Sequence, residues 1–114
     1  MSNSTKAPPT PAADVSAEYI ASIRLRVRMT ASKLDSEIED LIKAARADLV
    51  EFGGVLPERA ADESDPLVKQ AIATYVKAEF GLDNEDAEKY RASYDKQKIA
   101  LGLASSYIEP TEEV

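Results

Sequence analysis

"DPLVKQAIATYVKAEFGLDNEDAEKYRASY", residues 65 to 94, reads as two helices joined by a tight turn. Asp65 and Pro66 supply an N-cap and a first-position proline, whose missing N–H is no loss at a helix start. Leu67, Val68, Ala71, Ile72, Tyr75, Val76 and Phe80 follow at helical spacing, over an arc too wide for one exposed face. A helix of this kind is expected to be largely buried, inside the domain or between copies of it. Gly81 is expected to stop it. Leu82 and "DNEDAE" open the last helix, with Asp83 or Asn84 as cap and Glu85 and Asp86 at its positive end. Ala87, Tyr90, Tyr94, Leu101, Ala104 and Ile108 carry its apolar stripe to about residue 107. The tyrosines here have no reactive group beside them, which marks a packing and assembly unit.

Upstream, "LDSEIEDLIKAARADLVEFGG" at 34 to 54 is an amphipathic helix. Asp35 suits its first turn, Glu37 and Glu39 its positive end, and Gly53 a left-handed stop. Leu34, Ile38, Leu41, Ile42, Ala45, Leu49 and Phe52 form one stripe, and Glu39 with Lys43 an i,i+4 ion pair. Before it, "DVSAEYIASIRLRVRMT" predicts a helix over about 15 to 28, capped by Asp14 or Ser16. The strict alternation of Arg24, Arg26 and Arg28 with apolar residues leaves a strand open as the alternative. "GVLPERAADESDP" is a polar connection. Pro8, Pro9 and Pro11 make residues 1 to 13 an extended Pro/Ser/Thr-rich tail, and 109 to 114 read as an acidic tail. The expectation is an all-α domain over 14 to 108, a small bundle of about four helices with extended N- and C-terminal tails.

Composition narrows the function. The 114 residues suffice for one domain, and 44% apolar with 31% charged residues suits a globular chain. No apolar run approaches the ~20 residues that span a bilayer, and the N-terminus lacks the apolar core of a secretion signal. Without His or Cys, the usual zinc, haem and iron–sulfur ligand sets and histidine-based triads cannot be assembled within the chain. Neither cofactor nor metal nor catalytic residue is therefore expected. A net charge of -7 opposes a grip on nucleic-acid phosphates, but not a protein through which DNA passes without sticking.

The remaining groups have ordinary readings. Glu37 with Asp40, Asp62 with Glu63, and Asp83 with Asp86 are paired carboxylates best explained as caps and solvated surface. "DESD" at 62 to 65 faintly resembles a cation loop but lacks the EF-hand glycine and terminal glutamate. Arg24, Arg26 and Arg28 are the one basic concentration, either solvated or paired with an acidic surface such as a neighbouring copy. On a helix, Arg24 and Arg28 align while Arg26 points elsewhere. Tyr75, Tyr90, Tyr94 and Tyr107 suit a core or an interface, because tyrosine buries apolar area and keeps a hydroxyl for a rim hydrogen bond.

"RVRMTASKLDSEIEDLIKAARADL" at 26 to 49, followed by "DPLVKQAIATYVKAEFGLDNEDAEKYRASYDKQKIALGLASSY" at 65 to 107, resembles the head–tail connector (adaptor) proteins of long-tailed bacteriophages. The likeness runs from about Tyr19 to Tyr107 and rests on order and spacing rather than a catalytic signature. It implies an all-helical, non-enzymatic subunit of a homo-oligomeric ring, twelvefold, beneath the capsid portal. The implied partners are the portal protein and the next connector or tail-completion protein, with DNA passing through the channel and no membrane. The implied location is the virion at the head–tail interface, after assembly in the host cytoplasm. On that footing Arg24, Arg26, Arg28, Tyr75 and Phe80 are candidates for the subunit interface. Ser105, Ser106, Tyr107, Ile108 and Pro110 are candidates for the portal contact, with Tyr107 and Ile108 as apolar anchors where Pro110 stops the helix. The alternatives are a small helical nucleic-acid-binding regulator and an enzyme or its accessory subunit. The acidic start of the last helix opposes the first, and the lack of reactive residues the second.

Overall fold

The computed structural model describes residues 14–27, 35–80 and 86–110. Asp65 decides where the central helix begins. Its Oδ1 accepts the backbone N–H of Leu67 at 2.9 Å and of Val68 at 3.0 Å, with Pro66 opening the first turn. From this cap runs α4 (Pro66–Phe80), against which α1 (Ala17–Val27), α2 (Asp35–Glu51) and α5 (Ala87–Gly102) pack. Two single-turn helices complete the chain, α3 (Pro57–Ala60) between α2 and α4, and α6 (Ser105–Ile108) after α5. Among the described residues there is no strand. The expected all-α bundle is what forms, with four long helices and two short ones.

The core follows the apolar spacing. Ile20 and Ile23 of α1, Ile38, Ile42, Ala45 and Leu49 of α2, and Val68, Ala71, Ile72 and Val76 of α4 are buried together. Tyr94 and Leu101 close it from α5. Each fully buried aliphatic side chain contributes roughly 1.5–3 kcal/mol of transfer free energy, so these helices are held by one another more than by local propensity. The segment at 17–27 is a helix, not a strand. Ser16 caps it, its Oγ accepting the Tyr19 N–H at 3.0 Å. The Glu39–Lys43 pair stands at 3.5 Å as its spacing requires.

Several expectations fail for tertiary reasons. Phe52, the presumed end of the α2 stripe, lies beyond the last helical turn and is 77% exposed. The left-handed residue is Gly54 (φ 77), not Gly53. Gly53 is instead required by space, because a Cβ there would stand 2.6 Å from the Leu49 carbonyl oxygen. Leu67, expected on the buried arc of α4, is 52% exposed. The connection at 55–65 is not merely polar, since Val55 and Ala60 are core residues and α3 lies within it. The final helix does not run unbroken to residue 107. It stops at Gly102, where the backbone meets Gly53 so closely that a Cβ would fall 2.3 Å from the Gly53 oxygen. Ala104 is extended, and α6 then folds back until the Tyr107 carbonyl accepts the Leu56 N–H at 2.8 Å. The expected Gly81 stop, the Asp83 or Asn84 cap, Glu85, Leu34, and both tails at 1–13 and 111–114 lie outside the described residues. No helix among the described residues is long and apolar enough to cross a membrane.

Candidate functional site

Two of the carboxylates singled out by pairing, Asp62 and Glu63, hold the connection before α4 in place. Asp62 accepts the Ser64 N–H at 3.0 Å and the Ser64 hydroxyl at 2.6 Å. Those two bonds, the side-chain one first, hold its carboxyl below the usual range. Glu63 accepts the backbone N–H of Ser16 at 2.9 Å, the Ser16 hydroxyl at 2.6 Å and the Arg46 guanidinium at 3.4 Å. Glu37 and Asp40 are exposed on α2, whereas Asp83 falls outside the described residues. Among the described residues, no group of three or more acidic, His or Cys side chains is arranged to hold a metal. The "DESD" loop is thus a structural junction that starts α4 and fixes the start of α1.

Arg46 is a functional-looking residue that nothing in the sequence analysis singles out. Its side chain is buried among core aliphatics, paired with Glu63, and its guanidinium lies 5.8 Å from the Tyr19 ring centroid. Lys69 lies 5.3 Å from the same centroid. Burial pushes the Tyr19 hydroxyl up to about 12, with the Arg46 charge working against that shift. The only sequence signal for Arg46 is its place beside Ala45 on the inner side of α2, and long cationic residues there usually reach out to water.

A second polar cluster joins α2 to α5. The Tyr94 hydroxyl donates to Asp48 Oδ2 at 2.6 Å, and Lys98 Nζ donates to the same oxygen at 2.9 Å. Tyr75 meets Tyr94 edge to face, ring centroids 5.2 Å apart. Tyr94 ionises far above the ordinary tyrosine range, first through burial and then through its bond to Asp48. Burial raises Tyr75 too, with Glu79 and Asp48 adding to it. These groups line a shallow pocket with Glu79, Arg91 and Asp95, in which three carboxylates stand beside two cations.

The arginine candidates separate. Arg24 turns to Asp35 at the head of α2 and makes an ion pair with it. Arg26 is exposed and borders a shallow groove with Gln70, Thr74 and Lys77 of α4. Arg28 and the Phe80 side chain lie outside the described residues. Tyr75 is half-buried on the α5-facing side of α4, where its ring meets Tyr94. At the C-terminal end, Ser105, Ser106 and Pro110 are exposed and Ile108 is half-buried. Tyr107 packs on the core, donates its hydroxyl to Asp65 Oδ1 at 3.1 Å, and lies under the Arg59 guanidinium at 5.7 Å. Burial, then that bond to Asp65, raises its ionisation above the ordinary value. Arg59 Nε also donates to the Ser106 carbonyl at 3.0 Å. The terminal turn is therefore anchored to the junction that caps α4.

What remains for partners is apolar. Leu25, Phe52, Leu67, Ile99 and Leu103 are large side chains left more than half exposed. A groove of about 220 Å³ runs between α4 and α5, lined by Leu67, Gln70, Gln97, Ala100, Leu101, Ala104 and Tyr107. Single exposed apolar residues are commonplace, but a groove with flanking exposed leucines is what contact surfaces carry. A family model described as phage connector protein matches residues 20–108, which holds all six helices except the first turn of α1. No curated protein and no solved structure matches the chain.

Proposed function

This chain belongs to the phage connector protein family, matched across most of its length, and from that membership we propose a structural head–tail connector subunit. Copies form a homo-oligomeric ring beneath the portal, extend the DNA channel and join capsid to tail. The supporting observation is the family match over 20–108, with the exposed apolar side chains and the α4–α5 groove as surface for contacts between copies. The net charge of -7 suits a channel that DNA traverses, because phosphates adhere where Lys and Arg are in excess.

The terminal turn is the portal-facing element in this reading. Ser105, Ser106 and Pro110 present an exposed rim, and Ile108 stands half-buried at its edge. Tyr107 keeps the rim in place by its hold on Asp65. Arg26, exposed beside α4, faces another copy in this reading, and the subunit does its work in the virion without a cofactor.

Light scattering and sedimentation of the full chain, alone and mixed with portal protein, test the reading. Ring-sized particles, or a complex with portal, are expected. A chain that stays monomeric in both conditions overturns it.

A further inference from the structure

The groove between α4 and α5 lies at the start of α4 and the end of α5, where Leu67, Ala100, Ala104 and Tyr107 line it. No residue of its lining is charged. Gln97 lines it too, and its Oε1 is shielded from solvent without a hydrogen-bond partner among the described residues. Shielded polar atoms are seldom left so. The groove therefore fits an uncharged occupant that brings a hydrogen-bond donor. Its end wall adjoins the junction that anchors α1. Glu63 holds the backbone N–H and hydroxyl of Ser16, and Asp65, two residues on, accepts the hydroxyl of Tyr107. The chain before Ser16 thus enters the fold beside this groove.

Of the stretches outside the described residues, 81–85 follows the far end of α4, and 28–34 leaves α1 at the level of Lys77, also far from the groove. Residues 111–114 are "TEEV", with two carboxylates. The remaining stretch, 1–13, ends in "APPTPAA" at 7 to 13, seven residues without a charge. Its prolines preset the polyproline II conformation, so little entropy is lost when such a segment docks in an apolar groove. With three residues per turn, Pro8 and Pro11 share one edge, about 9 Å apart. Thr10 stands between them with an N–H and a hydroxyl, the donors that proline lacks. Reach is sufficient, since at about 3.1 Å per residue Pro11 is about 9 Å and Pro8 about 19 Å from Asp14. We infer that residues 7–11 seat in the α4–α5 groove of their own copy, with Pro8 and Pro11 against Leu67, Ala104 and Tyr107 and Thr10 donating to Gln97 Oε1. The inference concerns one copy and does not depend on a ring. The face that this groove gives to contacts between copies then carries the leader as its outer layer.

The chain has no cysteine, so paired cysteines placed in the full-length protein report this contact without background. Thr10→Cys, which keeps the backbone N–H, is combined with Ala100→Cys in one variant and with Ala104→Cys in another. The control combines it with Ala21→Cys, exposed on α1 about 10 Å from Asp14 and within the same reach. After mild oxidation of dilute protein, an internal disulfide is expected in the groove variants, seen as a faster-migrating monomer without reductant, and little in the control. Pro8→Gly with Pro11→Gly should remove most of that closure and leave melting unchanged. Equal closure in groove and control variants marks a leader that meets the surface at random and overturns the inference. Closure in neither groove variant overturns it too. Dimers formed on mixing Thr10→Cys copies with Ala104→Cys copies, without internal closure, give the groove to a neighbour's leader and overturn its seating in its own copy. All three results leave the ring reading standing, because the mass of wild-type particles decides that separately.

Discussion

Tyr94 shows how strongly the fold can tune one hydroxyl. Its hydroxyl is held by Asp48, which also binds Lys98, so burial and a charged acceptor both oppose loss of its proton. Tyr19 is likewise pushed up to about 12 by burial. Unfolded tyrosines ionise near 10, whereas these two stay protonated in the folded chain. The folded state then holds more protons above that point. The stability they supply is complete below about pH 10 and is lost as pH climbs from there through the folded values. Urea titrations from pH 7 to 11.5 should show that decline, with a flatter slope in Tyr94→Phe. At pH 7 the same variant should be less stable by about 1.5–3 kcal/mol, the net worth of a hydrogen bond to a charged acceptor. A flat alkaline profile in the wild type would remove this account.

Among the long helices, α4 is the most legible in sequence, whereas the end of α5 and the short α3 are not. Asp65, Pro66 and the spacing of Val68, Ala71, Ile72 and Val76 are local signals, and each does what its spacing implies. The break after Gly102 has no local signal. It arises because the α2 terminus arrives against α5, with Gly53 and Gly102 in backbone contact across 49 positions of chain. The buried Arg46 was hidden for the same reason, since its partner Glu63 lies in a connection read as solvated. Phe52 keeps the helical spacing of the stripe but follows the last residue of α2, so the spacing no longer turns it inward. Gly102→Ala therefore pits two effects against each other. Alanine gains about 1 kcal/mol of helix propensity over glycine, but the new Cβ meets backbone that cannot swing aside. Overpacking should win, and a net loss of about 1–3 kcal/mol in urea denaturation is expected. Asp65→Ala tests the other junction. It removes the α4 cap and the acceptor for Tyr107, so a loss of about 2 kcal/mol or more is expected, at the upper end for caps.

For the whole molecule, the question is which surfaces serve assembly without serving the fold. Arg24 is not a clean probe, because it pairs with Asp35, whereas Arg26 is exposed and borders the α4 groove, with its charge near Tyr19. Arg26→Glu should leave melting within about 0.5 kcal/mol of wild type and weaken association between copies. The C-terminal turn needs a finer instrument. Truncation after Ala104 removes the Leu56–Tyr107 backbone bond, the Tyr107–Asp65 bond and the Arg59 contacts, so lost portal binding by that form would conflate folding with docking. The truncated subunit should be folded but less stable by about 2–4 kcal/mol, in the range for losing one packed aromatic with its hydrogen bonds. Ile108→Asp separates the two roles, since Ile108 is half-buried at the rim while Tyr107 keeps its place in the core cluster. Its melting should stay near wild type while co-sedimentation with portal is lost. Normal portal binding by Ile108→Asp would move the docking surface off the terminal turn and leave α6 as a latch of the fold.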